Sequence, residues 1–458
     1  MRVELAIPLQ LDEILKSLEH KWADPSINNM TVYAISTDSR DVQEGDVFFA
    51  FDGEHHNGES FAEEATRKGG VCVCRNRLSN CVQVESTGRA ILQLAKYYKS
   101  RLSKLKYTVA VTGSVGKSTT KEFVARILSQ KYKLHATAGN YNNYLGVSLS
   151  VLCAPSDTEA LVLELGMNHT GEISELSKCI NPDLSIITNI GSSHIGNLGS
   201  RENIARAKLE ILDGMAGGHL LVPYGEPLLN VAGAIFVANN SSLSDTSLSS
   251  TEGGLFSFRF YNDILHGIKF KLSGDHIHSD LALAISAAFM AGLSGEEIKS
   301  GVESINSEHL RQRFIRMNGY TIFEDSYNSS YESVIADFIY MKKLGFRNTG
   351  AMLGDILELG EEAEAIHRML GKAAHKYGLS SLFLIGQYAR CIADGALECG
   401  YDPARIFIND TYSADLSMKQ IKKNHLDDEL ILFKASHRLR LDKIADALVD
   451  EERNENGG

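Results

Sequence analysis

The apolar positions of this chain follow two periods that alternate along most of its length. YTVAVT (107–112), EALVLELG (159–166), LSIITNIG (184–191) and HLLVPY (219–224) are short, nearly continuous apolar runs. Such runs mark strands covered on both faces. Between most of them lie longer stretches with apolar residues three and four apart, the helical spacing. This pattern predicts a mostly parallel sheet wrapped by helices over residues 85–310. SDLALAISAAFMAGL (279–293) is apolar nearly all round and predicts a buried helix. The serine-rich NNSSLSDTSLSSTEGG (239–254) predicts an exposed loop or hairpin.

The alternation restarts after residue 310, with YTIFEDS (320–326), RNTGAMLGD (347–355), SSLFLIG (380–386), RIFIND (405–410) and ELILFKAS (429–436) as strands. A second α/β sheet domain is expected over 311–458. Residues 1–84 predict a smaller α/β unit. LQLDEILKSLEH (9–20) has helical spacing, while YAISTDSR (33–40), DVFFAF (46–51) and GVCVCR (70–75) read as short strands around a polar loop and a helix. The expected fold class is therefore α/β in three domains, with hinges near residues 85 and 310. A chain of 458 residues is too long for one core.

Composition changes this picture little. The chain is 43% hydrophobic and 23% charged, ordinary for a globular protein. Its apolar runs stop well short of the roughly 20 residues of a membrane span. The first residues, MRVELAIPLQLDEILKSLEHKW, carry acids and amphipathic spacing rather than the features of a signal peptide. A net charge of −12 argues against general nucleic-acid binding but leaves local anion sites open. The seven cysteines form no CxxC pair, so neither a zinc site nor a disulfide framework is expected, and a reduced, cytoplasmic setting is. Cys72 and Cys74, two apart in a strand, should share one face of a sheet.

The chemistry starts at VAVTGSVGKSTTKEFVARIL (109–128), a strand, a glycine loop and a helix. Backbone N–H groups of such a turn at a helix N-terminus form an anion site. Gly113 and Gly116 let the backbone approach phosphates, with Ser114 and Val115 between them; Lys117 would reach the β- and γ-phosphates, Ser118 would ligate Mg²⁺, and Thr119 follows in the first helical turn. Val111 stands where the strict phosphate-loop pattern has its first glycine. A chance Gly-Lys-Ser turn is the alternative. Glu164, ending its apolar run, is a hard oxygen donor at the sheet rim where α/β folds bind ligands, or else an exposed strand-end acid. On chemistry alone His194 reads as a loop histidine and Lys208 as a solvated helix lysine, while Asn140, Asn142 and Asn143 read as turn formers.

TAGNYNNYLGVSLSVL (137–152), LELGMNHTGEISELSKCINPDLSIITNIGSSHIGNLGSRENIARAKLEIL (163–212), EDSYNSSYES (324–333) and MLGDILELGEEAEAIH (352–367) together resemble the Mur ligase family. STDSRDVQEGDVFFAFDGEHHNGESFAEEATRKGG (36–70) resembles that family's first domain. The likeness runs in order along almost the whole chain and is strongest to the members that add D-alanyl-D-alanine. It implies a small N-terminal UDP-binding domain, a central phosphate-loop ATPase-like sheet and a C-terminal Rossmann-like domain that binds the dipeptide. It also implies an ATP-dependent ligation. ATP phosphorylates the terminal carboxylate of a UDP-linked muramoyl tripeptide, and the amine of D-alanyl-D-alanine attacks the acyl phosphate.

The residue roles that follow are implied by the resemblance. Lys117, Asn140, His194 and Lys208 act in catalysis. Ser118, Glu164 and His194 hold two Mg²⁺ ions, and Lys208 matches a lysine that is carbamylated in several members. Asp280, Arg313, Asp325 and Asn328 join the loop in binding ATP. Ser39, Arg40, His56, Asn57, Gly58, Asn140, Asn142 and Asn143 face the UDP-substrate. Asp355, Glu358, Lys434, Ser436 and Arg438 take the dipeptide. A monomer with small-molecule partners is expected. The sequence departs from the family pattern at Ser330 and Tyr331 (usually Asn and Pro), at Ile277 and Asp280 (usually Asn) and at His437 (usually Arg). Rival readings are a related ligase adding the third residue or polyglutamate, a phosphate-loop protein without ligase activity, and a non-catalytic binding protein.

Overall fold

The computed structural model describes residues 1–52, 57–241, 243–251, 254–306 and 312–456. Three sheets follow one another along the chain. The first has six strands in the order Arg2–Gln10, Thr31–Ser36, Val47–Phe49, Val71–Cys74, Cys81–Val84 and His20–Ala23. Its inner strands pair in parallel and its two edge strands antiparallel. Strand Arg2–Gln10 carries Pro8 and a register shift between Glu4 and Leu9. Proline lacks the ladder donor and is tolerated at an edge. Helix Leu11–Ser17 is shorter than the helical spacing predicts, because Pro8 and Gln10 stay extended.

Cys72, Cys74 and Cys81 lie together on one face of this sheet, in a core separate from the one that takes Val71 and Val73. Strand alternation puts Cys72 and Cys74 on the same side, as expected. All seven cysteines are free thiols.

The central sheet has nine strands, with Tyr107–Thr112 between Leu184–Ile187 and Ala160–Glu164. Seven strands run parallel, and Phe256–Phe260 and Asp263–Ile268 close one edge antiparallel. The serine-rich segment is a hairpin arm rather than an exposed loop. Thr246–Ser250 pairs with Phe256–Phe260, and Thr246 and Leu248 are fully buried. Thr246 Oγ1 lies 2.9 Å from Ser286 Oγ on the buried helix Asp275–Met290, so the small hydroxyls satisfy each other inside the core.

The third sheet runs Arg313–Arg316, Tyr320–Glu324, Glu429–Lys434, Asn348–Leu353, Ser381–Ile385 and Ile406–Asn409, parallel except for its first strand. Its helices complete the α/β architecture. Among the described residues no helix is long and apolar enough to cross a membrane.

The sheets join in two different ways. Helix Thr87–Arg101 sits in a core shared by the first and central sheets. Its Tyr98 hydroxyl accepts from Ile7 N and donates to Ala154 O, both at 3.2 Å. The third sheet has its own cores and meets the central one largely through polar contacts. Lys343 pairs with Asp275 at 2.9 Å, and Glu332 and Glu358 reach residues 192–196.

Candidate active site

Strand Tyr107–Thr112 delivers the glycine loop to the sheet rim, and helix Lys117–Leu128 leaves it. Gly113 has φ +152° and a Cβ there would fall 1.8 Å from Thr188 Oγ1. Gly116, at φ +81°, caps the helix in the left-handed region that glycine alone occupies freely. Asn189 holds the loop from the neighbouring strand end. Its Oδ1 accepts from Val115 N at 3.0 Å, its Nδ2 donates to Val115 O at 2.8 Å, and its carbonyl accepts from Ser114 N. Lys117 Nζ folds back onto Gly113 O (2.8 Å) and Ser114 O (3.3 Å), the position from which it can swing to a phosphate.

Ser118 Oγ donates to Glu164 Oε2 at 2.6 Å, and Asn142 Nδ2 donates to Glu164 Oε1 at 2.8 Å. Glu164 is buried. A hydroxyl and a carboxylate already converging beside a phosphate loop are hard oxygens suited to Mg²⁺, which keeps waters and phosphate oxygens for its other positions. Among the described residues no group of three or more His, Cys, Asp or Glu is placed to hold a metal ion. His194, at φ +65°, places Nδ1 2.5 Å from Glu358 Oε2 across the interdomain gap. The same contact draws the Glu358 carboxyl below its usual range. A carboxylate on Nδ1 is the arrangement that leaves Nε2 available to a metal.

A cavity of about 490 Å³ opens between the central and third sheets. Ser114 to Thr119, Asn140, Asn142, Glu164 and Asp280 line its central-sheet wall, and Asp325, Asn328 and Lys434 its third-sheet wall. Lys434, expected at the dipeptide, lines this same cavity. Its ammonium is buried between Asp325 Oδ2 and Asp337 Oδ2, the latter 2.9 Å away. Burial pushes Asp337 up to about 8, partly offset by Lys434 and reinforced by Asp325. Burial also pushes Asp325 upward, but Lys434 and the bonds from Asp337 and Gln312 outweigh it, so the net direction is down.

Asp280 lines the cavity but is not exposed. It is buried beneath the loop, with its oxygens 2.7–2.8 Å from where a Gly116 Cβ would sit. Burial holds its carboxyl well above the ordinary range, and a protonated acid offers the donor and acceptor of the asparagine it replaces. His276, also lining the cavity, is pushed down to about 4 by burial. Ser330 caps helix Tyr331–Lys343 by accepting from Ser333 N at 3.2 Å, and Tyr331 takes the first helical position, where proline is favoured. Both departures therefore preserve the helix start.

Other predicted residues lie elsewhere. Asn143 caps helix Tyr144–Leu152 by accepting from Gly146 N. Arg313 is bound to Glu324 (2.7 Å) and Asp446 (3.1 Å), away from the cavity lining. Asp355 is buried and accepts from Gln387 N, Tyr388 N and Tyr412 Oη, so it stitches loops together. Ser436 Oγ accepts from Leu357 N, while Arg438 is exposed. Ser39 donates to Glu64, Arg40 is exposed and paired with Asp38, Asn57 caps a turn, and Gly58 N donates to Asp52. His56 lies outside the described residues. Lys208, in helix Arg201–Leu209, is 1% exposed, and among the described residues no carboxylate pairs with it. Burial first, and Lys117 second, hold its amine well below the usual range. Asn189, Thr188, His276, Asp337 and Glu332 escaped the sequence reading; only Thr188 and Asn189, the polar pair straight after the strand Leu184–Ile187, carried a visible signal.

Comparison with known proteins agrees with this geometry. Residues 111–288 match the Mur ligase middle domain. The UDP-N-acetylmuramoyl-tripeptide–D-alanyl-D-alanine ligase of Bacillus subtilis is 34% identical over 95% of this chain and 97% of its own length. The chain belongs to the Mur ligase family. The ligase of the same name from a Synechocystis strain is 29% identical over 96% of both chains. A crystal structure of MurF from Acinetobacter baumannii superposes with a TM-score of 0.86 at 26% identity, over 98% of this chain and all of that one. This Mur ligase thus shares its fold with that crystal structure, and its sequence matches the two relatives along nearly their full length.

Proposed function

We propose that this Mur ligase joins D-alanyl-D-alanine to a UDP-N-acetylmuramoyl-tripeptide at the expense of ATP, in peptidoglycan precursor synthesis. The observation that carries the reading is the convergence of Lys117, the Ser118–Glu164 pair and Asp325 on one cavity between two domains. The names and full-length match of the relatives support the acceptor and the UDP-substrate. In this reading residues 1–84 hold the UDP end, 85–310 the ATP, and 311–458 the dipeptide.

The loop N–H groups and Lys117 would bind the β- and γ-phosphates and steady the transferring phosphoryl group. Mg²⁺ held by Ser118 and Glu164, with a second ion within reach of His194, would supply Lewis-acid neutralisation of phosphate charge. Asn140 and Asn142 lie on the wall where the substrate carboxylate would meet that phosphate. The carboxylate oxygen takes the phosphoryl group and ADP leaves. The dipeptide amine then attacks the acyl carbon, and the tetrahedral adduct expels phosphate to leave the amide. Closure of the third domain would exclude water from the acyl phosphate. Lys208 would act as its carbamate. A buried amine held neutral reacts with CO₂ and releases a proton, and the product is an anion placed near Lys117. Nucleotide-linked precursors and free thiols fit a cytoplasmic setting.

Phosphate release with ATP, Mg²⁺ and D-alanyl-D-alanine, with the lysine- and diaminopimelate-containing UDP-tripeptides given separately, tests this. Release that needs both dipeptide and one tripeptide is expected. Release without the dipeptide, or none with either tripeptide in protein that binds ATP, would overturn it.

A further inference from the structure

Glu332 lies in the first turn of helix Tyr331–Lys343 in the third domain, a turn fixed by the Ser330–Ser333 capping box. Its carboxylate crosses to the central domain. One oxygen accepts from Ser192 N at 2.9 Å and the other from Ser192 Oγ at 3.0 Å. The preceding residue, Gly191, donates its N–H to Ser114 Oγ at 2.9 Å. Gly191 is squeezed between the two domains, since a Cβ there would meet Glu332 Oε2 at 3.0 Å and Ser114 Cβ at 3.2 Å. A continuous path thus runs from a third-domain helix, through two residues of the central sheet rim, into the glycine loop.

We propose that Glu332 is a positioning residue through which the approach of the third domain sets the shape of the phosphate loop. With the domains together, two charge-assisted bonds pin Ser192, and Gly191 in turn pins Ser114. When they separate, Ser192 loses both acceptors and the loop loses that brace. Nucleotide affinity and domain closure are then linked through one carboxylate, and linkage requires that each favours the other. The inference rests on the reading that this loop binds ATP. No group in the path needs to change its protonation.

The test uses the full chain with Glu332→Ala, Glu332→Gln, Ser192→Ala and the Glu332→Ala/Ser192→Ala pair. Hydrogen exchange is measured without nucleotide over residues 113–118 and 189–193, and steady-state constants are measured for each substrate. Glu332→Ala should speed exchange in both segments and raise KM for ATP by about tenfold, the effect expected of losing hydrogen bonds to a charged group. KM for the UDP-tripeptide should stay within about twofold, because its binding surface is not on this path. Glu332→Gln keeps one carbonyl acceptor and should recover part of the loss. The double variant should be no worse than Glu332→Ala by more than about twofold, as for residues that act through each other. Unchanged exchange over 113–118 in Glu332→Ala, equal rises in both KM values, or multiplicative effects in the double variant would overturn the proposal. If the unmodified chain shows no ligase activity, the functional reading fails, and the exchange data alone decide the coupling.

Discussion

Replacing Asp337 with asparagine should make the third domain less sensitive to alkali. Asp337 is 1% exposed, and burial pushes its carboxyl from the ordinary 3.8 up to about 8. In the unfolded chain the group ionises near its ordinary value. Between those values the folded protein holds a proton that the unfolded chain has given up. Stability is therefore greatest below the lower value and falls as pH rises through the upper one. At about 1.4 kcal/mol per pH unit, the window from pH 5 to 8 carries roughly 4 kcal/mol. The asparagine variant keeps the shape and the Gln312 contact but has no proton to lose. Relative to the parent it should gain about 2–4 kcal/mol between pH 5 and pH 8. Native-state hydrogen exchange of the amides in helix Tyr331–Lys343, compared at several pH values, reads this locally and does not depend on two-state unfolding of the whole chain. Parallel profiles, with a difference constant within about 0.5 kcal/mol, would refute the assignment of a buried proton to Asp337.

Lys117→Ala should lower phosphate release by about a thousandfold or more, since it removes the loop cation from the transferring group; turnover within tenfold of the parent would dismiss that role. Glu164→Ala should shift the Mg²⁺ titration to higher concentration, whereas an unchanged midpoint would show that Glu164 is not a ligand. Gly113→Ala forces a methyl toward Thr188 Oγ1, so nucleotide binding should weaken by about tenfold or more; equal affinity by calorimetry would show that the loop accommodates it. Lys208→Ala should lose activity and regain part of it with a small added carboxylate. Full activity without the additive would argue against a carbamate there.

Four inner strands of the central sheet and five of the third were legible because they are largely apolar runs, whereas the short Leu134–Ala136 and the outer strands Ile235–Asn239, Phe256–Phe260, Asp263–Ile268 and Arg313–Arg316 were not read as strands. The phosphate loop was legible because glycine spacing and a following lysine are local. Strands Arg2–Gln10, His20–Ala23 and Cys81–Val84 were not, being short or edge segments in which polar residues or a proline dilute the signal. Lys434 was expected to meet the dipeptide. Its carboxylates lie 109 and 97 residues back along the chain, and only the assembled sheet and helix bring them together. Asp280 shares a helix with Ile277, yet which of its neighbours it would face depends on how that helix packs under the loop, which periodicity does not specify.

The contrast between the two joints of this molecule has a mechanical consequence. The first two sheets are fused by the apolar core around Tyr98 and form a single anvil. The third is a jaw held largely by carboxylates, one histidine and one lysine, with Ile195 as an apolar contact against its core. Charged seams weaken as salt is added, whereas apolar cores do not. Salt should therefore slow the jaw's grip while leaving the anvil intact, so a cell's ionic strength acts on how often the tool closes rather than on whether it stays in one piece.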